Sequence, residues 1–216
     1  MRNSLSSKPL IFFVGVGNMG NPMAANLIRS GYSLSVYDTA AHKVAHLVNL
    51  GAREAGGLLE GASQCDVVIT SLPGPSEVRD VMFGEMGLIA ALRPGTTIID
   101  TSTSAPDLAR ELADKVRPRG IEFLEAPISN AVDAAAAGRL SIFVGGDEVV
   151  FKRNLPIFEI LGTRVFFVGP AGNGTTVKLL TNLLWFVSAA AIGEGLMLGA
   201  KAGVPLDTVR EALMHS

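Results

Sequence analysis

The sequence predicts an α/β fold, a doubly wound parallel sheet followed by an all-α segment. Three observations carry this expectation. Strand-like apolar runs alternate with helical runs through most of the chain, and the connections between them are short. Several strand runs are continuously apolar, as in Val67-Val68-Ile69, which suits strands covered by helices on both faces. After Gly174 the rhythm changes to one long run of closely spaced apolar residues without proline.

Taken in order, strand 10–16 leads through a glycine-rich turn into helix 22–30, with Gly31 at the expected C-terminal cap. Strand 33–37 and helix 41–50 follow, and Gly51 caps the second helix in the same way. Helix 58–63, strand 67–71, helix 75–83 and strand 97–100 continue the alternation. Helix 105–117, strand 122–126, a short helical run at 134–137, strand 140–144, helix 149–161 and strand 164–168 complete it. The break at Gly172-Asn173-Gly174 divides the chain into domains 1–171 and 172–216. The second domain opens with a long helix from 175 to about 202, ended by Gly203 and Pro205, and a further helix spans 206–215. No internal repeat and no low-complexity linker interrupts this order.

A chain of 216 residues can bury a full core, and its length suggests one to two domains. A hydrophobic content of 48% places it among globular chains. The net charge of −2, with no basic block, argues against nucleic acid or an anionic membrane as a partner. The uncharged stretch 179–193 is shorter than the roughly 20 residues of a spanning helix, so no membrane is expected. Cys65 is the only cysteine, which excludes an internal disulfide and fits a reducing, cytoplasmic location. The first ten residues read as a frayed tail, because the apolar run behind them is too short and glycine-rich for a signal peptide.

The most informative motif is Gly15-Val16-Gly17-Asn18-Met19-Gly20, placed between a strand and a helix. Gly15 permits the tight turn out of the strand, Gly17 lets backbone approach a pyrophosphate, and Gly20 lets the helix pack on the sheet. N–H groups at the helix start then face the phosphates. Asp38 follows the end of the second strand, roughly 20 residues after Gly15, near the spacing of an acid that binds a ribose 2′-OH. Gly15, Gly17, Asn18, Met19, Gly20 and Asp38 are therefore candidate cofactor contacts in a Rossmann-type domain. Asp38 followed by Thr39, with no arginine there, favours NAD over NADP. Ser71-Leu72-Pro73 and Ser102 follow the third and fourth strands, at the strand ends where open α/β sheets bind ligands. Taken alone, they fit turn formation or capping equally well.

Four blocks in this order resemble the β-hydroxyacid dehydrogenase family, which includes 3-hydroxyisobutyrate dehydrogenases and 2-hydroxy-3-oxopropionate reductases. They are Gly15 to Ala24, Asp100-Thr101-Ser102-Thr103, Glu125-Ala126-Pro127-Ile128-Ser129 running on to Gly146, and Gly172-Asn173-Gly174 with Lys178 and Asn182. The resemblance implies hydride transfer between NAD, or less readily NADP, and a small hydroxy-carboxylate or semialdehyde. It implies that Ser71, Leu72, Pro73 and Ser102 contact the nicotinamide half, and that Ser129, Asn130 and Ala131 hold the substrate carboxylate. Lys178 is the implied acid/base, with Asn182 one helical turn away on the same face. Without the resemblance, Lys178 reads as a lysine snorkelling from an apolar helix. Asn130-Ala131 replaces the family's glycine pair and Ala134 a further glycine, so Cβ atoms are expected in the substrate pocket.

The family continues with several more helices that complete the cleft and supply another lysine on the cofactor side. This chain is therefore expected to be a C-terminally truncated member, and a nucleotide-binding or oligomerisation module without turnover is the alternative. An imine reductase would lack the lysine that Lys178 matches, and a chromatin-associated relative would carry basic extensions. A phosphogluconate dehydrogenase would have histidine at Thr181. His42, His46 and His215 show no metal-ligand spacing, so no metal is expected. The long helix carries Leu179, Leu180, Leu183, Leu184, Trp185, Phe186 and Val187 around most of its circumference, and a helix apolar all round must be buried. Self-association as a homo-oligomer is the expected outcome.

Overall fold

The computed structural model describes residues 8–215. The first part of the chain runs β1 (Ile11–Val14), α1 (Gly20–Arg29), β2 (Leu34–Tyr37), α2 (Ala45–Asn49), β3 (Arg53–Glu54), α3 (Leu58–Ser63) and β4 (Val67–Thr70). It continues with α4 (Pro75–Phe83), α5 (Leu88–Ala91), β5 (Thr97–Asp100), α6 (Pro106–Val116), β6 (Glu122–Glu125), β7 (Ile128–Ser129) and α7 (Val132–Ala136). Then come β8 (Leu140–Gly146), α8 (Glu148–Leu161), β9 (Gly162–Phe167), α9 (Asn173–Lys201) and α10 (Leu206–Met214).

The sheet order is β3-β2-β1-β4-β5-β6-β8-β7, with β9 beside β8. Strands β3 to β6 along this path are parallel, whereas β8 runs antiparallel to β6 and β7. The register of the parallel strands has a simple consequence. Tyr37, Val14, Thr70, Asp100 and Glu125 are successive neighbours across five strands, so all five strands end in one row. Ligand-binding loops follow from that row, because the connections that leave these five strands begin there.

Alternate residues of the apolar strands feed two cores. Ile11, Phe13 and Ile69 face one side, where Met23 and Leu27 of α1 and Phe158 of α8 cover them. Phe12, Val14, Val68 and Ile98 face the other, with Val78 of α4 and Leu108 and Leu112 of α6. Burial on both faces explains why the strand sequences lack polar alternation. Gly61 in α3 is required by this packing, since a Cβ there would lie 2.3 Å from the Phe12 ring.

Several elements differ from the sequence expectation. The single helix expected at 41–50 is a 3₁₀ turn, Ala41–Lys43, followed by α2. Strands β3 and β7 and helix α5 have two to four residues each and carry no periodic signal. The last strand begins at Gly162, whose Cβ would meet the Leu140 carbonyl oxygen at 2.3 Å, so only glycine lets β9 pair there. Residues 1–7 of the expected tail lie outside the described residues, while Lys8 donates to the Ser30 carbonyl and stands over the Tyr32 ring.

The chain forms two compact units, one ending at Lys178 and the other spanning Leu179–Ser216. The first turn of α9 thus belongs to the sheet-bearing unit, and Gly174, Thr175 and Lys178 are buried in it. The remainder of α9 exposes Leu180, Leu183, Leu184, Trp185, Phe186 and Val187. As folded, α9 is 29 residues long, and by length and composition alone it could cross a membrane. The uncharged stretch at 179–193 underestimates this, because the helix extends well beyond it at both ends.

Candidate active site

The glycine-rich turn after β1 opens on a cleft of about 420 Å3, lined in part by Gly15, Gly17, Asn18, Met19, Asp38, Ser71, Leu72 and Pro73. Gly15 has φ of 85°, in the left-handed region that favours glycine. A Cβ on Gly15 would lie 2.3 Å from the Ser71 carbonyl oxygen, and one on Gly20 would lie 1.9 Å from the Gly15 carbonyl oxygen. Gly17, by contrast, faces open space. The turn therefore closes tightly on its protein side and stays bare on its cleft side. No side chain caps α1 and no acid occupies its first turn. Its N-terminal N–H groups and helix dipole remain suited to a pyrophosphate.

Asp38 directly follows Tyr37, the last residue of β2 and a member of the same row. Its Oδ2 accepts from the Val16 N–H at 3.0 Å and its Oδ1 from the Ala40 N–H at 2.9 Å. The carboxylate thus braces the glycine-rich turn as well as lining the cleft. Lys43 stands 3.6 Å from Asp38 Oδ1 and also lines the cleft. Sequence reasoning missed this lysine, since it sought a basic residue only next to Asp38.

Ser71, Leu72 and Pro73 line the cleft, whereas Ser102 is buried behind them. Its Oγ accepts from the Leu72 N–H at 2.9 Å, so Ser102 acts on the cleft by holding that loop. The Ser102 N–H in turn donates to Asp100 Oδ1 at 3.1 Å, and Thr70 Oγ1 donates to the same oxygen at 2.8 Å. Burial pushes the Asp100 carboxyl up to about 6, against the lowering effect of these hydrogen bonds, and the neighbouring Glu125 charge raises it further.

Lys178 is buried, and its Nζ donates to Ser129 Oγ at 3.0 Å. Burial lowers the amine below the ordinary lysine range. Ser129 is the last residue of β7, and the next residue, Asn130, has φ of 83°. Asparagine is among the few non-glycine residues that adopt this conformation readily, which explains how the turn forms without glycine. Its side chain donates to the Arg139 carbonyl at 3.3 Å, along the hairpin to β8. Asn130 and Ala131 are exposed. Asn182 lies one turn beyond Lys178 on α9, past the division between the two units. Among the described residues, no group of three or more His, Cys, Asp or Glu could hold a metal ion.

Residues 10–169 match the NAD-binding domain of 6-phosphogluconate dehydrogenase, and residues 172–216 match the NAD-binding region of NADP-dependent 3-hydroxyisobutyrate dehydrogenase. The 3-hydroxyisobutyrate dehydrogenase of Pseudomonas aeruginosa is 37% identical over 206 residues, covering 95% of this chain and 69% of that protein. The chain belongs to the β-hydroxyacid dehydrogenase family. The 2-hydroxy-3-oxopropionate reductase of Escherichia coli is 38% identical, with 94% of this chain and 69% of that protein covered. The Mycobacterium tuberculosis 3-hydroxyisobutyrate dehydrogenase solved with L-serine superposes with a TM-score of 0.91 at 33% identity. That match covers 97% of this chain and 71% of the solved one. The first unit is thus an NAD-binding domain of this family, and the chain spans about 69% of the length of these two relatives.

The geometry at Asp38 generates a prediction about cofactor choice. A carboxylate at the ribose position accepts hydroxyl hydrogens and repels a 2′-phosphate. NADH should bind more tightly than NADPH, and Asp38→Ala should narrow the difference while weakening both, because the brace on Val16 is lost as well. Titration calorimetry on the two proteins measures this, and equal affinities in the unmodified chain would refute it.

Proposed function

We propose that this chain transfers hydride between NAD and a small β-hydroxy acid or its semialdehyde, with Lys178 as the general acid–base. The observation that carries the proposal is the 3.0 Å hydrogen bond between Lys178 Nζ and Ser129 Oγ, next to the strand-end row that builds the dinucleotide cleft. Bound NAD supplies the hydride acceptor. In the oxidation direction, neutral Lys178 takes the proton of the substrate hydroxyl. In the reverse direction its ammonium returns that proton to the carbonyl oxygen. A depressed amine pKa suits this exchange, because it raises the neutral fraction available at moderate pH. Ser129 Oγ accepts from Lys178, which leaves its own hydrogen to donate to a substrate carboxylate. Family resemblance supports Asn130, Ala131 and Asn182 as further substrate contacts. It equally supports Ser71, Leu72, Pro73 and the loop held by Ser102 as contacts to the nicotinamide half.

The relatives' names support a small hydroxy acid as substrate: they cover 3-hydroxyisobutyrate, 2-hydroxy-3-oxopropionate and L-serine. A cytoplasmic location is part of the same reading and rests on the single, buried cysteine. The apolar surface of α9 supports a homo-oligomer. Its first turn is committed to the NAD-binding unit, so the rest is read as a protein-binding surface rather than a membrane span.

Two tests follow. Lys178→Ala should lose about 10²–10⁴ in turnover while leaving NADH binding nearly intact, the scale typical of general acid–base groups. For the unmodified chain, the oxidation rate should rise with pH as Lys178 loses its proton, with a midpoint below the ordinary lysine range. Retention of most turnover by Lys178→Ala would remove the assigned role. Light scattering during size exclusion tests the second point: a two-fold dimer that buries α9 should elute at micromolar concentration. A clean monomer with a well-ordered α9 would contradict the association.

A further inference from the structure

Glu125 ends β6, the last parallel strand, and is 2% exposed. Its Oε1 accepts from the Gly174 N–H at 2.8 Å, and its Oε2 accepts from the Thr175 N–H at 3.1 Å and from Thr175 Oγ1 at 2.5 Å. These donors form the first turn of α9. No acid of α9 itself occupies that turn, so the sheet supplies the carboxylate that the helix N-terminus attracts. Two glycines make room for it. A Cβ on Gly145 would lie 2.4 Å from Oε1, and one on Gly174 would lie 3.2 Å from the Glu125 side chain and 2.4 Å from the Phe143 carbonyl oxygen. Both glycines are therefore required for the helix to sit where the carboxylate holds it.

Lys178 follows Thr175 by three residues and Gly174 by four, so it lies directly above the anchored N–H groups on the same helix face. Ser129 follows Glu125 by four residues, at the end of the short strand leaving the same row. Both partners of the 3.0 Å Lys178–Ser129 hydrogen bond are thus tied to one side chain within a turn or a strand's length. We propose that Glu125 is a positioning residue, whose carboxylate sets the axial and rotational position of the first turn of α9, up to Lys178, and thereby the place of the Lys178 amine against Ser129. This deepens the acid–base reading of Lys178 and rests on it. Glutamine cannot substitute. Its amide has one acceptor oxygen, and its NH2 would face either the Gly174 or the Thr175 N–H, so one helix donor would lose its partner.

The test follows the titration of Lys178 itself. An amine-directed acylating reagent is applied across a pH series, and modification at Lys178 is read by mass spectrometry in the unmodified chain, Glu125→Gln, Glu125→Asp and Thr175→Val. NADH binding by calorimetry reports whether the cofactor half, built from residues 15–102, is intact. In Glu125→Gln the midpoint for Lys178 should move up toward that of the exposed lysines. Where turnover is measured, kcat should fall about 10–10²-fold with NADH affinity unchanged, the scale of a misplaced catalytic group. Glu125→Asp, which keeps the charge but is shorter, should recover part of the loss. Thr175→Val, which removes only the hydroxyl donor, should shift Lys178 in the same direction by less. If Glu125→Gln fails to bind NADH, Thr175→Val decides alone. An unmoved Lys178 titration in the deciding variant, with NADH binding kept, would overturn the proposal. That outcome combined with a strong Lys178→Ala effect would leave the acid–base reading standing. A shifted titration with no effect of Lys178→Ala on turnover would instead retain the positioning and remove the acid–base role.

Discussion

The common register of the parallel strands is the constraint on which the rest depends. Because β2, β1, β4, β5 and β6 end in one row, the turns that follow them converge on a single edge. The glycine-rich turn, Asp38, the Ser71–Pro73 loop, the Asp100–Ser102 segment and Glu125 are all products of that alignment. A one-residue slip in any of these strands would turn its apolar side chains to the opposite face, and both cores penalise such a slip. The precision of the edge therefore derives from burial beneath it.

Buried carboxylates organise the edge. Asp100 and Glu125 each end a strand in that row and Asp38 directly follows one, and each accepts hydrogen bonds from backbone N–H groups of a functional segment. Asp38 holds the dinucleotide turn, Asp100 holds Ser102 and through it Leu72, and Glu125 holds the start of α9. Each carboxylate offsets its desolvation with directed donors, and hydrogen bonds to charged groups are the stronger kind. Asp100 shows the balance most clearly, with burial outweighing its donors and raising its pKa. The start of α1 differs from that of α9 in this respect. It has no protein acid, which suits a phosphate ligand, whereas α9 begins on Glu125.

Much of the fold was legible because its signals are local and periodic. Val67-Val68-Ile69, the Gly15-to-Gly20 turn and the caps at Gly31 and Gly51 all act within a few residues. The two-residue strands β3 and β7 were not legible, since they exist only through long-range pairing. Asn130 is a further case: a non-glycine residue there gives no local signal of the left-handed backbone it adopts. Lys178 could be named from its motif, but its contact with Ser129 joins residues 49 apart in sequence, and spacing gives no access to that. Glu125 stood in plain view beside Ser129. Its role stayed hidden because an acid at a strand end says nothing of a helix start 49 residues later.

The central claim is that one sheet edge carries both a dinucleotide cleft and the proton-transfer pair for a small hydroxy acid. The most direct measurement is NAD reduction, followed by the absorbance of the reduced nicotinamide, over 3-hydroxyisobutyrate, glycerate, 4-hydroxybutyrate and L-serine. The account predicts saturable turnover with at least one of these acids, faster at higher pH. Tight NAD binding with no turnover on any of the four would contradict it and leave a nucleotide-binding module in its place.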